Sequence, residues 1–75
     1  MNGFGIVLFH NSSSAMRSEA VLKKAGIEAR LVPTPRELSS DCGVALRFPW
    51  ERREAVVSLL EEAHVATQGV FEAPE

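Results

Sequence analysis

The sequence predicts an α+β fold made of two β-α-β units, and three observations lead to this prediction. Four short apolar segments have the length of strands, and two longer segments place apolar residues at helical spacing. Each helical segment is followed by a small break and another strand. The halves echo each other in LKKAGIEARLV and LLEEAHVATQGVF. The order β-α-β-β-α-β predicts a ferredoxin-like sandwich, in which a four-stranded antiparallel sheet carries both helices on one face.

The first half predicts a buried strand, a helix and a half-exposed strand. Gly3 to His10 is apolar on both faces, which is typical of a central strand. Helix one is predicted from about Ser13 to Ala25, because Asn and Ser residues precede it and Gly26 follows it. Ile27 to Val32 alternates apolar and polar residues, and Pro33 ends that strand because proline cannot donate to a β-ladder.

The second half repeats this pattern after a polar loop. Its predicted elements are a loop at Pro33 to Asp41, a strand at Gly43 to Phe48, a helix at about Pro49 to His64 and a strand at Val65 to Phe71. We expect one helical turn at Arg36 to Ser40, and Pro49 suits the first position of a helix. Gly69 is expected to interrupt the last strand, and Glu72 to Glu75 form a short frayed tail.

Length and composition favour one small globular domain over residues 1–75. The hydrophobic fraction of 45% argues against disorder. A chain of this length buries limited area, so a homodimer is a reasonable expectation. The formal net charge of −2 gives no electrostatic reason to expect nucleic acid as a partner.

The chain shows no pattern for export, membrane insertion or metal binding. No basic segment precedes the first apolar run, which has strand length, so we expect neither a signal peptide nor a membrane span. A single cysteine excludes an intramolecular disulfide and a cysteine zinc cluster, and it fits a reducing, cytoplasmic setting. Two histidines and one cysteine far apart in sequence argue against a metal site, and we expect no cofactor.

The only cysteine, Cys42, lies between the polar loop and the predicted third strand. A thiol in that place acts as a nucleophile when a nearby cation or a helix N-terminus favours its thiolate form. Arg36 and the start of helix one are the candidates to supply these charges. The alternative is a buried and inert cysteine, which is common for free thiols.

Topology predicts where further candidates gather. Strands one and two of a β-α-β unit run parallel, and strand three starts where they end. We therefore expect His10, the start of helix one, the Pro33 to Ser40 loop and Cys42 at one end of the sheet. Strands one and three are neighbours in this fold, which brings Cys42 toward His10.

Each of these candidates also has a structural interpretation. Ser12 and Ser13, with the serine after them, form either an anion cradle at a helix start or an ordinary N-cap. His10 is either a proton acceptor for Cys42 or a strand-end histidine bonded to backbone. Arg36 either stabilises a sulfur anion or an oxyanion, or is a solvated loop arginine or one paired with Glu37 or Asp41.

The remaining candidate residues also have alternative or purely structural interpretations. Ser39 and Ser40 either donate to a sulfur anion or close the loop through bonds to backbone. Gly43 allows a positive φ or a close approach of backbone beside the cysteine. His64 is interpreted as a helix-terminus residue. Trp50 covers either the edge of the core or a dimer interface.

The stretch PTPRELSSDCGVALRF, with FHNSSSAMRSEAVLKKAGI before it, resembles the small prokaryotic selenium/sulfur carrier-like proteins. The resemblance covers about Val7 to Phe71. Its most specific part is Pro33-Thr34-Pro35-Arg36, then two serines, then Cys42-Gly43. It implies a cysteine that carries sulfur or selenium as a persulfide-like species between donor and acceptor proteins. Better-known small sulfur carriers have Cys-Pro-x-Pro at a helix start, which this chain lacks, so their mechanism does not transfer residue by residue.

Two functions from different classes remain open on the sequence. In the first, the protein is a non-enzymatic carrier that uses Cys42, with Arg36 and the start of helix one stabilising the anion. In the second, it is a small-anion-binding or regulatory module acting as a dimer, and Cys42 is a packing residue. A thiol hydrolase has the weakest support, because neither an orienting carboxylate nor a hydrolase motif is present. Exposure of the Cys42 thiol separates the first two functions.

Overall fold

Four strands form one antiparallel sheet in the order β2-β3-β1-β4, with two helices on one face. We obtained this fold from a computed structural model, which describes residues 3–38 and 42–73. The elements are β1 (Phe4–Leu8), α1 (Ser12–Lys24), β2 (Arg30–Pro33), β3 (Val44–Pro49), a 3-10 turn (Trp50–Arg52), α2 (Arg53–Glu62) and β4 (Gly69–Glu72). This βαββαβ arrangement confirms the predicted ferredoxin-like fold.

The main core lies between the sheet and the helices. Buried side chains of β1 and β3 meet buried side chains of both helices there, and their removal from water is the main stabilising contribution. The buried members of this cluster are Val7, Phe9, Ala15, Leu22, Ile27, Ala29, Leu46, Phe48, Val56 and Leu60. Because β1 is flanked by β3 and β4, it is the central strand that its apolar sequence predicts.

The helix-free face of the sheet has a smaller apolar cluster. Ile6, Leu8 and Ala45 are buried there. Leu38, from the loop after β2, packs against them together with Val32 and Ala73. The loop that precedes Cys42 therefore contributes to the second face of the sheet.

Both helices end in the same way, which confirms the echo between the two halves. After α1, Gly26 has φ +83 and the Ile27 amide donates to the Leu22 carbonyl at 2.9 Å. After α2, His64 has φ +57 and the Val65 amide donates to Leu60 at 3.0 Å. These are left-handed C-terminal caps, in which a residue with positive φ turns the chain toward the next strand.

Three elements begin three or more residues later than the sequence-based prediction. β2 begins at Arg30 rather than Ile27, because the Ile27 amide is used in closing α1. Pro49 remains in β3 with ψ 127, so the second helix begins as the 3-10 turn. Gly69, with φ +140, starts β4 instead of interrupting a longer strand.

The first two residues of the predicted C-terminal tail are held by the sheet. Glu72 pairs with Gly5 in the sheet, and the Ala73 amide donates to the Phe4 carbonyl at 2.7 Å. Both residues are therefore held by β1 rather than frayed. The rest of the predicted tail lies outside the described residues.

Within residues 3–38 and 42–73, no helix has the length and apolar character needed to cross a membrane. α1, the longer of the two helices, has 13 residues, whereas a membrane-spanning helix needs about 20.

Candidate functional site

The ends of β1 and β2 lie beside the start of β3 at one end of the sheet. Leu8 pairs with Ala45, and Pro33 pairs with Val44. His10 follows Leu8 by two residues, and Cys42 precedes Val44 by two. The strand order and pairing therefore bring the strand ends next to His10 and Cys42 to one end of the sheet, as topology predicts.

Cys42 is buried at this end, with 7% of its surface exposed. Its backbone is held by Thr34, whose hydroxyl donates to the Cys42 carbonyl at 2.9 Å. The Thr34 amide also donates to the Gly43 carbonyl at 3.0 Å. The two bonds join the chain entering the loop after β2 to the chain leaving it, so Thr34 fixes the backbone that carries the thiol.

Thr34 is a site residue that sequence reasoning missed. Its signal in the sequence is its position between Pro33 and Pro35 at the end of a strand. That position places Thr34 in the loop, but its partners eight and nine residues later depend on the pairing of β2 with β3.

Arg36 is exposed and lies in a turn of the same loop. The Leu38 amide donates to the Pro35 carbonyl at 3.0 Å, which closes this turn around Arg36 and Glu37. The part of the predicted helical turn that includes Ser39 and Ser40 lies outside the described residues, as do these two candidate donors.

The start of α1 is capped by Asn11. Its side-chain oxygen accepts from the Ser14 amide at 2.9 Å, which is an N-cap hydrogen bond. Ser12 and Ser13 are exposed in the first turn of α1, and His10 is exposed just before the cap. No acidic residue lies in that turn, so the partial positive charge of the helix start has no carboxylate from the first turn beside it.

Gly43 does not have either of the two roles that the sequence suggested. Its φ lies outside the left-handed region, and an added Cβ would meet no described atom within 4 Å. Neither a positive φ nor a close approach therefore requires glycine here. The contact that the structure shows is through backbone, since the Gly43 carbonyl accepts from the Thr34 amide.

The C-terminus of α2 reaches the same end of the molecule and is bound by α1. Arg17 of α1 donates from Nη2 to the Ala63 carbonyl at 2.8 Å. The last turn of α2 contains no basic residue. Arg17 therefore supplies the positive charge that stabilises the C-terminus of this helix. His64 follows directly as the left-handed cap, which confirms its interpretation as a helix-terminus residue.

The described part of the chain was also considered as a metal site. Within residues 3–38 and 42–73, no group of three or more His, Cys, Asp or Glu side chains is placed to hold a metal ion. The chemistry available at this end of the sheet is that of a thiol, an imidazole, a guanidinium and a helix N-terminus.

Comparison with known proteins identifies the family. The chain matches none of the curated proteins and none of the solved structures. A family model described as "Putative Se/S carrier protein-like" matches residues 4–72. The match begins with the first residue of β1 and ends with the last residue of β4, and it includes Thr34, Cys42 and Gly43. The chain therefore belongs to the Se/S carrier protein-like family.

Proposed function

We propose that the protein carries sulfur or selenium on the thiol of Cys42, in the reducing environment of the cytoplasm. A donor protein loads the thiol and an acceptor protein unloads it. The observation that carries this proposal is the family match over residues 4–72 to a chain whose single cysteine lies within it. Since the chain has no other thiol, any persulfide formed on it has to be at Cys42.

The proposed loading step is a thiol exchange reaction. The Cys42 thiolate attacks the terminal sulfur of a persulfide on the donor, and a new S–S bond forms at Cys42. The S–S bond of the donor breaks, and the donor cysteine leaves as a thiolate. The terminal proton moves with the transferred sulfur, so the step needs no external oxidant or reductant. Attack by an acceptor thiolate on the terminal sulfur of Cys42 unloads the carrier in the same manner.

We assign anion stabilisation to candidate groups that the topology brings to the same end of the sheet as Cys42. Arg36 and the start of α1 at Ser12 and Ser13 are the positive groups, and His10 is the candidate proton acceptor. The exposed loop around Arg36 is the proposed docking surface for donor and acceptor. With 7% of its surface exposed, Cys42 needs a local rearrangement on docking before its sulfur reaches the donor persulfide.

The first experiment measures persulfide formation directly. The protein is incubated with a cysteine desulfurase and free cysteine, and intact mass spectrometry measures the addition of one sulfur atom. Wild type is expected to gain this mass and Cys42→Ser is not.

Thr34→Val removes the side-chain bond to the Cys42 backbone, so it is expected to raise the rate of thiol alkylation in the folded protein several-fold. If neither the wild-type protein nor Thr34→Val gains sulfur, the result contradicts the carrier function.

The second candidate function is an anion-binding or regulatory module acting as a dimer, and the burial of Cys42 favours it. In that case the thiol is packing, and alkylation is expected only at denaturant concentrations that unfold the chain. Sulfur loading of Cys42 by the desulfurase without denaturant, where circular dichroism shows the native fold, contradicts the module and supports the carrier.

A further inference from the structure

Two arginines lie directly opposite each other on neighbouring strands. Arg30 of β2 pairs with Arg47 of β3. Arg47 also lies opposite Ile6 of β1, whose side chain belongs to the helix-free face. Opposite residues of an antiparallel pair point to the same face with their Cβ atoms about 5 Å apart, and like charges there are destabilising. This pairing therefore costs stability unless something compensates it.

The compensation does not come from a carboxylate of the described chain. Within residues 3–38 and 42–73, neither guanidinium forms an ion pair. Arg47 instead lies over the ring of Phe4, with its Cζ 3.7 Å from the ring centroid. A cation–π contact of this kind holds the guanidinium plane and leaves its N–H donors available at the edge.

A cavity of about 300 Å³ opens at these two arginines. Its lining consists of Phe4, Glu28, Arg30, Arg47, Phe48 and Pro49. Phe4 and Pro49 supply apolar surface beside the two guanidinium groups, whereas the Phe48 side chain is buried in the core on the other face of the sheet. Glu28 is the acidic member of the lining, so the two arginines leave an excess of one positive charge.

We propose that Arg30 and Arg47 form a binding site for a small oxyanion. The ligand class is a phosphate, a sulfate or a carboxylate small enough for this cavity, because guanidinium groups bind the paired oxygens of such anions in a bidentate manner. The bound anion would relieve the repulsion between the two arginines. The site lies toward the opposite end of β3 from Cys42, so it does not rest on the thiol chemistry proposed above.

The test is the thermal unfolding midpoint with and without sodium phosphate, at constant ionic strength. Phosphate is expected to raise the midpoint of wild type, because a ligand that binds the folded state stabilises it. Arg30→Gln is expected to raise the midpoint of the ligand-free protein and to abolish the response to phosphate. Arg52→Gln is the matched control, since it makes the same charge change at an exposed residue of the 3-10 turn. It is expected to keep the full response.

Sulfate and acetate, tested in the same way, distinguish a tetrahedral anion from a carboxylate as the preferred ligand. Glu28→Gln is expected to tighten phosphate binding several-fold, because it removes the carboxylate of the cavity. A lower ligand-free midpoint in Glu28→Gln would instead identify Glu28 as the counterion of the arginines and contradict the site. An equal response to phosphate in wild type, Arg30→Gln and Arg52→Gln overturns the proposal, because salts excluded from the protein surface stabilise all variants alike.

A second measurement detects phosphate binding at the two arginines directly, without unfolding the protein and without using Cys42. In a phosphate titration followed by NMR, the Nε–H signals of Arg30 and Arg47 are expected to shift together and to saturate. Cys42→Ser is expected to show the same shifts, so loss of the carrier function would leave this site intact. Shifts that stay linear without saturation contradict a defined site.

Discussion

At the scale of single residues, the most unusual backbone lies just after α2. His64 has φ +57, in the left-handed region that costs a residue with a Cβ atom about 1 kcal/mol or more. Gly26 has φ +83 at the equivalent position after α1. Because glycine has no Cβ, the same cap forms there without this cost.

Exchanging these two residue types should therefore change stability in opposite directions. We expect His64→Gly to raise the free energy of unfolding by about 0.5–1 kcal/mol, because it relieves the left-handed strain at an exposed residue. Gly26→Ala, the matched variant, should lower it by about 1 kcal/mol. Urea unfolding followed by circular dichroism measures both. A destabilised His64→Gly would show that contacts of the imidazole outweigh the strain.

At the scale of elements, α1 stabilises the end of α2. The bond from Arg17 to the Ala63 carbonyl joins residues 46 positions apart and places a cation at a helix C-terminus that has none of its own. Helix propensity and apolar spacing predict both helices separately. They carry no information about which side chain of one helix reaches the end of the other.

Loss of this contact should destabilise the protein modestly. We expect Arg17→Ala to lower the free energy of unfolding by about 0.5–1 kcal/mol, since the contact is exposed and combines one hydrogen bond with a helix-dipole interaction. Arg17→Lys should lose about half as much, because it keeps the charge. Arg36→Ala, a change of the same type at an exposed loop residue, should have almost no effect in the same chemical denaturation experiment. Equal losses in Arg17→Ala and Arg36→Ala would exclude the helix-cap explanation.

At the scale of the whole molecule, the core closes over a glycine in the central strand. Gly5 pairs with Phe48 across β1 and β3, and the rings of Phe48 and Trp50 lie over it. Their centroids are 6.1 Å apart. Of the two positions that the sequence left open for Trp50, the structure shows the edge of the core.

A methyl group at Gly5 should disrupt this packing. An added Cβ would lie 2.7 Å from both Phe48 Cε1 and Trp50 Cε3, so both rings have to move. We expect Gly5→Ala to lower the free energy of unfolding by about 1–3 kcal/mol, as overpacked cores do. Gly43→Ala is the control, because no described atom lies within 4 Å of a Cβ added there, and it should change stability by less than about 0.5 kcal/mol. Thermal unfolding with tryptophan fluorescence reports both stability and the environment of Trp50. An unchanged midpoint in Gly5→Ala would mean that the rings move at no cost.

The element order, the fold class and the family could all be predicted from the amino-acid sequence. Each of these follows from local patterns: strand-length apolar runs, helical spacing, capping residues and a specific stretch around Cys42. The convergence of His10, the start of α1 and Cys42 also followed, because a β-α-β-β-α-β chain has few ways to pair its strands. The boundaries at Ile27, Pro49 and Gly69 did not follow, since they depend on how each helix is capped and where pairing begins.

The surroundings of each candidate side chain depend on the folded structure. It buried Cys42, joined Thr34 to the backbone on both sides of the loop, and placed Arg30 opposite Arg47. Burial and cross-strand contacts depend on residues that are distant in sequence, and no local pattern specifies which of them meet. For this reason the sequence indicated a reactive thiol at Cys42, whereas the structure showed how little of it is exposed.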